Sequence, residues 1–292
     1  MEPGKLGVFI FMDSLPAEDA AQFAQRVESW GYTTLWIPEV FGREPFASAA
    51  FLLSRTRTLR VATGIANIYA RDAMTTRAAQ LALAEQSGGR FILGLGVSHQ
   101  PVVEGMRGHT YGKPIETMQA YLEAMERAPY AAPQPAEPPP TLLAALGPRM
   151  LALARDRTRG AHPYMVPPEH TARAREILGK GPWLCTEQKV LRVTEPSRAR
   201  ELARKTLAMY LTLPNYRRNL QSLGFAEADL DGGGSDRLID ALVAWGDEKT
   251  IRDRIEAHRD AGADHVCVQT IHPDGKPIPD LDLLEVLAPG PA

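Results

Sequence analysis

The chain has 292 residues, 44% apolar and 23% charged, with a formal net charge of −2. This is globular composition, long enough for one large barrel or two modest domains, and no composition break favours two, so one domain over 1–292 is expected. The charge gives no electrostatic case for nucleic acid. No apolar run approaches the roughly 20 residues of a membrane span and no early segment reads as a leader, so a soluble cytoplasmic protein acting on a small molecule is expected.

Strand one is predicted at Gly7–Met12, GVFIFM, an apolar run suited to burial on both faces. A helix follows with Ala20, Phe23, Ala24 and Val27 on one face and Gly31 just past its end. Strand two is LWIPE at 35–39. A helix over Phe46–Arg55 precedes strand three, LRVATGI at 59–65, and a further helix spans about Ala73–Ser87. Strand four is Phe91–Gly96. The proline-dense run Pro129–Pro140 excludes helix and central strand and reads as a surface connection. Strand five is TLLAAL at 141–146, and Gly147-Pro148 opens the next helix, where proline fits the first turn. Strand six lies around Ala161–Val166 and its helix over Pro168–Leu178. Strand seven is 183–193, followed by a helical region from Ser197 to about Leu213 and a segment through GGGS at 232–235. A helix over Thr250–Ala261 and the strand GADHVCVQTI close the chain. Eight strand–helix alternations predict an α/β fold, the closed (β/α)8 TIM barrel, with a doubly wound open sheet as the alternative.

The chain has no GxxxxGK[ST], HExxH, GxSxG or EF-hand spacing, so phosphate-loop, zincin and hydrolase-elbow chemistries lack their residues. Its seven histidines show no close ligand pair, and no metal is expected. Cys185 and Cys267 sit in apolar runs without CxxC spacing and read as small buried hydrophobes. The basic run RRN at 217–219 reads as a solvated helix face.

Strand ends carry the chemistry in such a barrel. Glu39 leaves strand two; as an alternative to a place on the catalytic rim, it caps a helix or holds a salt bridge. Asn67, Tyr69 and Arg71 follow strand three and suit a polar, flat ligand, although Arg71 can equally pair with Asp72 or another carboxylate. Ser98 and His99 follow strand four behind Gly94 and Gly96, which let a ligand approach. An imidazole of pKa about 6.5 is a natural proton carrier at neutral pH. Gly147, Pro148 and Arg149 start a helix after strand five, where free N–H groups and an inward-pointing guanidinium favour an anion; the alternative is that they merely cap the helix. His162, Pro163 and Tyr164 form the strand-six exit.

Taken together, WIPEVFGREPF at 36–46, GIANIYARD at 64–72, FILGLGVSH at 91–99, AHPYMVPPEHT at 161–171, and NYRRNLQSLGF with GGGSDRLIDALVAWG within 215–246 resemble the bacterial luciferase-like flavin and deazaflavin enzymes, in particular the branch using coenzyme F420. The resemblance implies a barrel binding a tricyclic deazaflavin at the strand ends and moving a hydride to or from its central ring. It implies a bulge with a non-prolyl cis peptide at Gly64-Ile65 behind the ring. Glu39 and Asn67 would line the ring, and Ser98 and His99 would approach its reacting face. The cofactor phosphate would rest near Gly147, Pro148 and the backbone of His162–Tyr164. The basic ligands of sugar-phosphate-oxidising relatives are not evident, which argues against such a substrate. A homodimer is expected on the same ground. The reading is an F420-dependent reductase or dehydrogenase acting on an unsaturated or carbonyl compound, with His99 or Glu39 handling the proton. Its alternatives are an FMN-dependent monooxygenase and a non-catalytic cofactor-binding or partner protein.

Overall fold

Runs such as LGVF, TLWI and FILGLG are buried at every position, as strands covered on both faces must be. The computed structural model describes residues 2–290. Its strands are β1 (Leu6–Phe9), β2 (Thr34–Ile37), β3 (Arg60–Thr63), β4 (Ala66–Asn67), β5 (Phe91–Gly96), β6 (Thr141–Leu143), β7 (Gly160–Ala161), β8 (Trp183–Leu191), β9 (Val243–Trp245) and β10 (His265–Thr270). The helices are α1 (Ala17–Ser29), α2 (Pro45–Arg55), α3 (Ala73–Gln86), α4 (Gln100–Gly105), α5 (Pro114–Arg127), α6 (Pro148–Arg157), α7 (Pro168–Leu178), α8 (Pro196–Leu207), α9 (Pro214–Ser222), α10 (Glu227–Leu230), α11 (Asp236–Leu242), α12 (Glu248–Asp260) and α13 (Leu281–Leu287).

All pairings are parallel, and β10 joins both β1 and β8, so β1, β2, β3, β5, β6, β7, β8 and β10 close into a (β/α)8 barrel. Closure removes the open-sheet alternative. Phe9, Trp36, Ala62, Ile92, Leu142, Trp183, Cys185 and Cys267 cluster together, with both thiols buried as expected. Proline opens α2, α5, α6, α7, α8 and α9 at the first helical position, where the missing N–H costs no hydrogen bond. Asp72 and Asp247 cap α3 and α12 by accepting the backbone N–H three residues on, at 2.9 and 2.8 Å.

Three departures from the expected elements shape the site. First, β3 pairs with β5 through Val61↔Phe91 and Ala62↔Ile92, and pairing resumes at Ala66↔Leu95 through β4. Three residues, Thr63–Ile65, therefore face two, which is a β-bulge. Thr63 Oγ1 bridges it, donating to Gly94 O at 2.7 Å and accepting from Gly94 N at 2.8 Å. The Gly64-Ile65 peptide is cis. A Cβ on Gly94 would lie 2.0 Å from Thr63 O, so only glycine fits beneath the bulge. Second, β7 stops at Ala161 rather than Val166. Pro163 has no N–H to donate, and Met165 N is taken by the Glu187 carboxylate at 3.0 Å.

Third, the chain between β8 and β9 is an excursion with its own apolar cluster, including Leu202, Leu207, Leu220, Leu238, Ile239 and Leu242. It ends in β9, not anticipated from sequence, which pairs with β8 at Lys189↔Val243. No helix among the described residues is long and apolar enough to cross a membrane.

Candidate active site

A cavity of about 870 Å³ opens over the C-terminal ends of the strands. Its walls are Ile65 of the bulge, Gly96–Pro101 at and after the end of β5, Ala144–Met150 after β6, His162 and Tyr164 after β7, Arg173, Tyr111, Pro114, Ile115, and one face of α9 that includes Ser222. A Cβ on Gly96 would lie 2.4 Å from Ile65 Cδ1, so this glycine gives Ile65 its place in the wall.

His99 stands at the N-cap of α4, and its carbonyl accepts the N–H groups of Val102 and Val103. Its ring tilts against Tyr216, with centroids 5.8 Å apart. Burial pulls the imidazole below its ordinary pKa, and a hydrogen bond with Asn215 opposes that shift. The neutral form is thus favoured at pH 7. Ser98 beside it takes a left-handed backbone at φ 55, and its carbonyl accepts from Tyr111 at 3.4 Å.

Glu39 and Asn67 are not brought to the cavity. Glu39 Oε1 accepts from Arg71 Nη2 at 2.7 Å, and Oε2 accepts from Arg71 Nη1 at 2.9 Å and Asn67 N at 2.7 Å. Arg107 lies 3.6 Å from the same carboxylate. Glu39 N donates to Ile65 O, so the ion pair ties the bulge to its neighbours. Both carboxylate oxygens are occupied, so the salt-bridge alternative for Glu39 replaces its expected proton-carrying role. Asn67 Oδ1 accepts from Tyr69 N at 2.9 Å and shapes the turn. Arg71 also meets Glu44 at 3.0 Å and lies over Phe46.

His162 is 2% exposed, lines the cavity and stacks on Trp36 with centroids 4.3 Å apart and planes at 12°. Its Nδ1 contacts Cys185 O at 2.8 Å, and burial pushes its pKa down to about 4. At this exit His162 N is committed to Leu143 O at 2.8 Å, and buried Pro163 has no N–H and does not line the cavity, so of the expected phosphate backbone only Tyr164 reaches the wall. Tyr164 does line it, donating to Gln269 Oε1 at 2.9 Å and meeting Tyr210 at 3.0 Å.

Beneath Tyr164 lies a fully buried ion pair absent from the sequence reading, Lys189 Nζ to Glu187 Oε1 at 3.1 Å. The ammonium sits 3.8 Å from the Tyr164 ring centroid. Its sequence signal was the polar run Glu187-Gln188-Lys189 inside an apolar strand.

At the mouth, Gly147, Pro148 and Arg149 begin α6 and are exposed in the wall. Arg173 and Arg218 join them, and Arg173 donates to Ser222 Oγ at 3.1 Å. Asn219, buried in the same wall, leaves its Nδ2 without a partner. The RRN run is therefore not a plain solvated face: Arg217 pairs with Glu227 and Asp231, Arg218 faces the cavity and Asn219 is buried. No Asp or Glu appears among the described residues lining the cavity, and none of these residues forms a cluster of three or more His, Cys, Asp or Glu that could hold a metal ion.

The luciferase-like monooxygenase family profile matches residues 5–265. A Mycobacterium tuberculosis protein, provisionally named as a coenzyme F420-dependent oxidoreductase, is 33% identical over 129 residues, 44% of this chain. That match spans 37% of the relative, well under two thirds of its length. An F420-dependent secondary alcohol dehydrogenase in complex with an F420-acetone adduct superposes with TM-score 0.76 at 14% identity, covering 99% of this chain and 98% of that one. The oxygenating constituent of a Pseudomonas putida Baeyer-Villiger monooxygenase, solved with FMN, gives TM-score 0.72 at 17% identity, covering 99% and 98%. At these identities the two structures share the fold.

Proposed function

The chain belongs to the luciferase-like monooxygenase family, and on that premise we propose that it is an F420-dependent oxidoreductase that transfers a hydride between a deazaflavin and a carbonyl or unsaturated small molecule. The observation that carries the choice of cofactor is the charge at the mouth. Arg149, Arg173 and Arg218 line a wall without acidic residues, beside the start of α6. A helix N-terminus and guanidinium groups suit a cofactor tail of several anionic groups better than one phosphate requires. Ile65, Val97, Ala144 and Ala145 would line the flat ring, and His162 Nε2 and Asn219 Nδ2, both buried without a partner, would offer the cofactor an acceptor and a donor.

When bound, the deazaflavin would supply or accept the hydride. The protein supplies the rest. The bulge, clamped by Glu39 and Arg71, fixes one wall against which a ring can rest. His99, neutral at pH 7, takes a proton from a hydroxyl in the oxidising direction and becomes the imidazolium, and in the reducing direction that protonated form returns the proton to the carbonyl oxygen. Asn215 and Tyr216 hold its ring. The apolar lining keeps water from the reacting atoms.

Equilibrium binding of oxidised F420 and of FMN to the purified protein, read by fluorescence, tests the proposal. Tight binding of F420 in preference to FMN supports it. Preference for FMN, with oxygen consumed in turnover, replaces it by a monooxygenase, and binding of neither supports a non-catalytic partner.

A further inference from the structure

Among the polar atoms of the cavity wall, His162 Nε2 has the most closely determined chemistry. Nδ1 lies 2.8 Å from the Cys185 carbonyl, which can only accept, so Nδ1 carries the proton. Nε2 is then a bare acceptor, buried and without a partner. Stacking on Trp36 at 4.3 Å, with Phe9 at 6.1 Å, prevents the ring from turning to find one. A Cβ on Gly64 would lie 2.8 Å from Phe9 Cε2 and 3.4 Å from Nε2, which places this atom directly against the bulge at the floor of the cavity that His162 lines. The ring resists protonation, since burial holds its pKa near 4. A buried acceptor of fixed direction costs free energy until a donor meets it.

We propose that His162 Nε2 accepts a hydrogen bond from the imide N–H of the bound tricyclic ring, so that His162 fixes the depth and orientation of that ring in the barrel mouth. The assignment rests on the cofactor reading above, and it holds for either tricycle, because F420 and FMN share the imide N–H. It also accounts for a neutral histidine in the barrel mouth: a charged ring would offer two donors and repel that N–H.

The test is a double-mutant cycle on affinity, using wild type and His162→Phe, each with the parent cofactor and with its analogue methylated at the imide nitrogen. His162→Phe keeps the stacking surface and removes the acceptor. The expected result is that methylation weakens wild-type binding about tenfold or more, the scale of one unmatched buried polar contact, and weakens the variant by less than about threefold. Equal methylation penalties in both proteins would overturn the assignment and assign Nε2 to a buried water. If F420 fails to bind but FMN binds, the cofactor reading falls while the FMN cycle still decides His162. If neither binds, both fall. Should His162→Phe not fold, the ¹⁵N shift of Nε2 in wild type decides: it moves upfield on cofactor binding if the atom accepts, and an unchanged shift overturns the proposal.

Discussion

Acidification from pH 7 to pH 5 should destabilise this barrel by way of three buried imidazoles. His162 and His265 are pushed down to about 4 and His258 to about 3, in each case chiefly by burial. Geometry agrees with neutrality. His265 Nδ1 meets Gly4 O at 2.8 Å while its Nε2 accepts from Trp36 Nε1 at 3.0 Å. His258 lies between Thr171 and Gln188, whose amide N–H groups are already committed to Lys189 O and Leu242 O. The unfolded chain takes up protons near 6.5 and the folded one does not, so stability is complete above about 6.5 and is lost as pH falls toward the folded values. At pH 5 the loss is about 2 kcal/mol per histidine, or about 6 kcal/mol for three, comparable to the whole stability of many domains. Urea denaturation followed by tryptophan fluorescence at pH 7, 6 and 5 measures it. Between pH 6 and 5 the slope should approach that of three protons, about 4 kcal/mol per unit, and His258→Gln should remove about a third. A slope of one proton or less, about 1.4 kcal/mol per unit, refutes the reasoning.

His99→Ala should lower turnover by about 10²–10⁴-fold while F420 affinity changes only a few-fold; steady-state kinetics beside a binding titration shows whether the split exists. In the oxidising direction kcat/KM should rise with pH to a plateau, through a pKa below the ordinary histidine value, because the proton must first leave the imidazole. A profile flat across pH 5–7 removes His99 from proton transfer. Arg71→Met removes the two-pronged partner of buried Glu39, leaving it only Arg107 at 3.6 Å and Asn67 N, and should cost about 2–3 kcal/mol, lowering Tm by roughly 4–10 °C; a shift below about 2 °C in calorimetry would show that the clamp is unimportant. Arg173→Gln with Arg218→Gln should weaken F420 by about tenfold and FMN by less, and flatten the salt dependence of F420 binding. Equal losses for both ligands would count against the tail reading.

Where local chemistry decided the outcome, sequence reading reached the residue. Phe91–Gly96 and Pro168–Leu178 have the bounds expected, one a run buried throughout, the other opened by a proline and followed by Gly179. β9 was missed because LVAWG continues the apolar pattern of α11; only pairing with Lys189–Leu191 makes it a strand. Glu39 shows the same limit at the site. Its place after β2 locates the backbone, but the carboxylate is claimed by Arg71, 32 residues further on, which no spacing rule foretells. The sequence had offered both a salt bridge for Glu39 and a carboxylate for Arg71, without joining them. RRN failed similarly, since which face of α9 is covered depends on the barrel mouth below it. Only the polar interruption of β8 at Glu187-Gln188-Lys189 announced itself and went unread.

The separate apolar cluster under α8, α9 and α11 gives the molecule two structural economies at one cavity. Wall positions such as Asn215 and Arg218 are carried by a helix whose Tyr216 and Leu220 pack within that cluster, whereas Ile65, Gly96 and His162 belong to the barrel. Asn215 and Tyr216, which hold His99, couple the two sides, whereas a change at the exposed cavity-mouth position Arg218 is free to add independently. A lineage can therefore retailor what it accepts at positions of α9 such as Arg218 while inheriting unaltered the half of the pocket that the barrel provides.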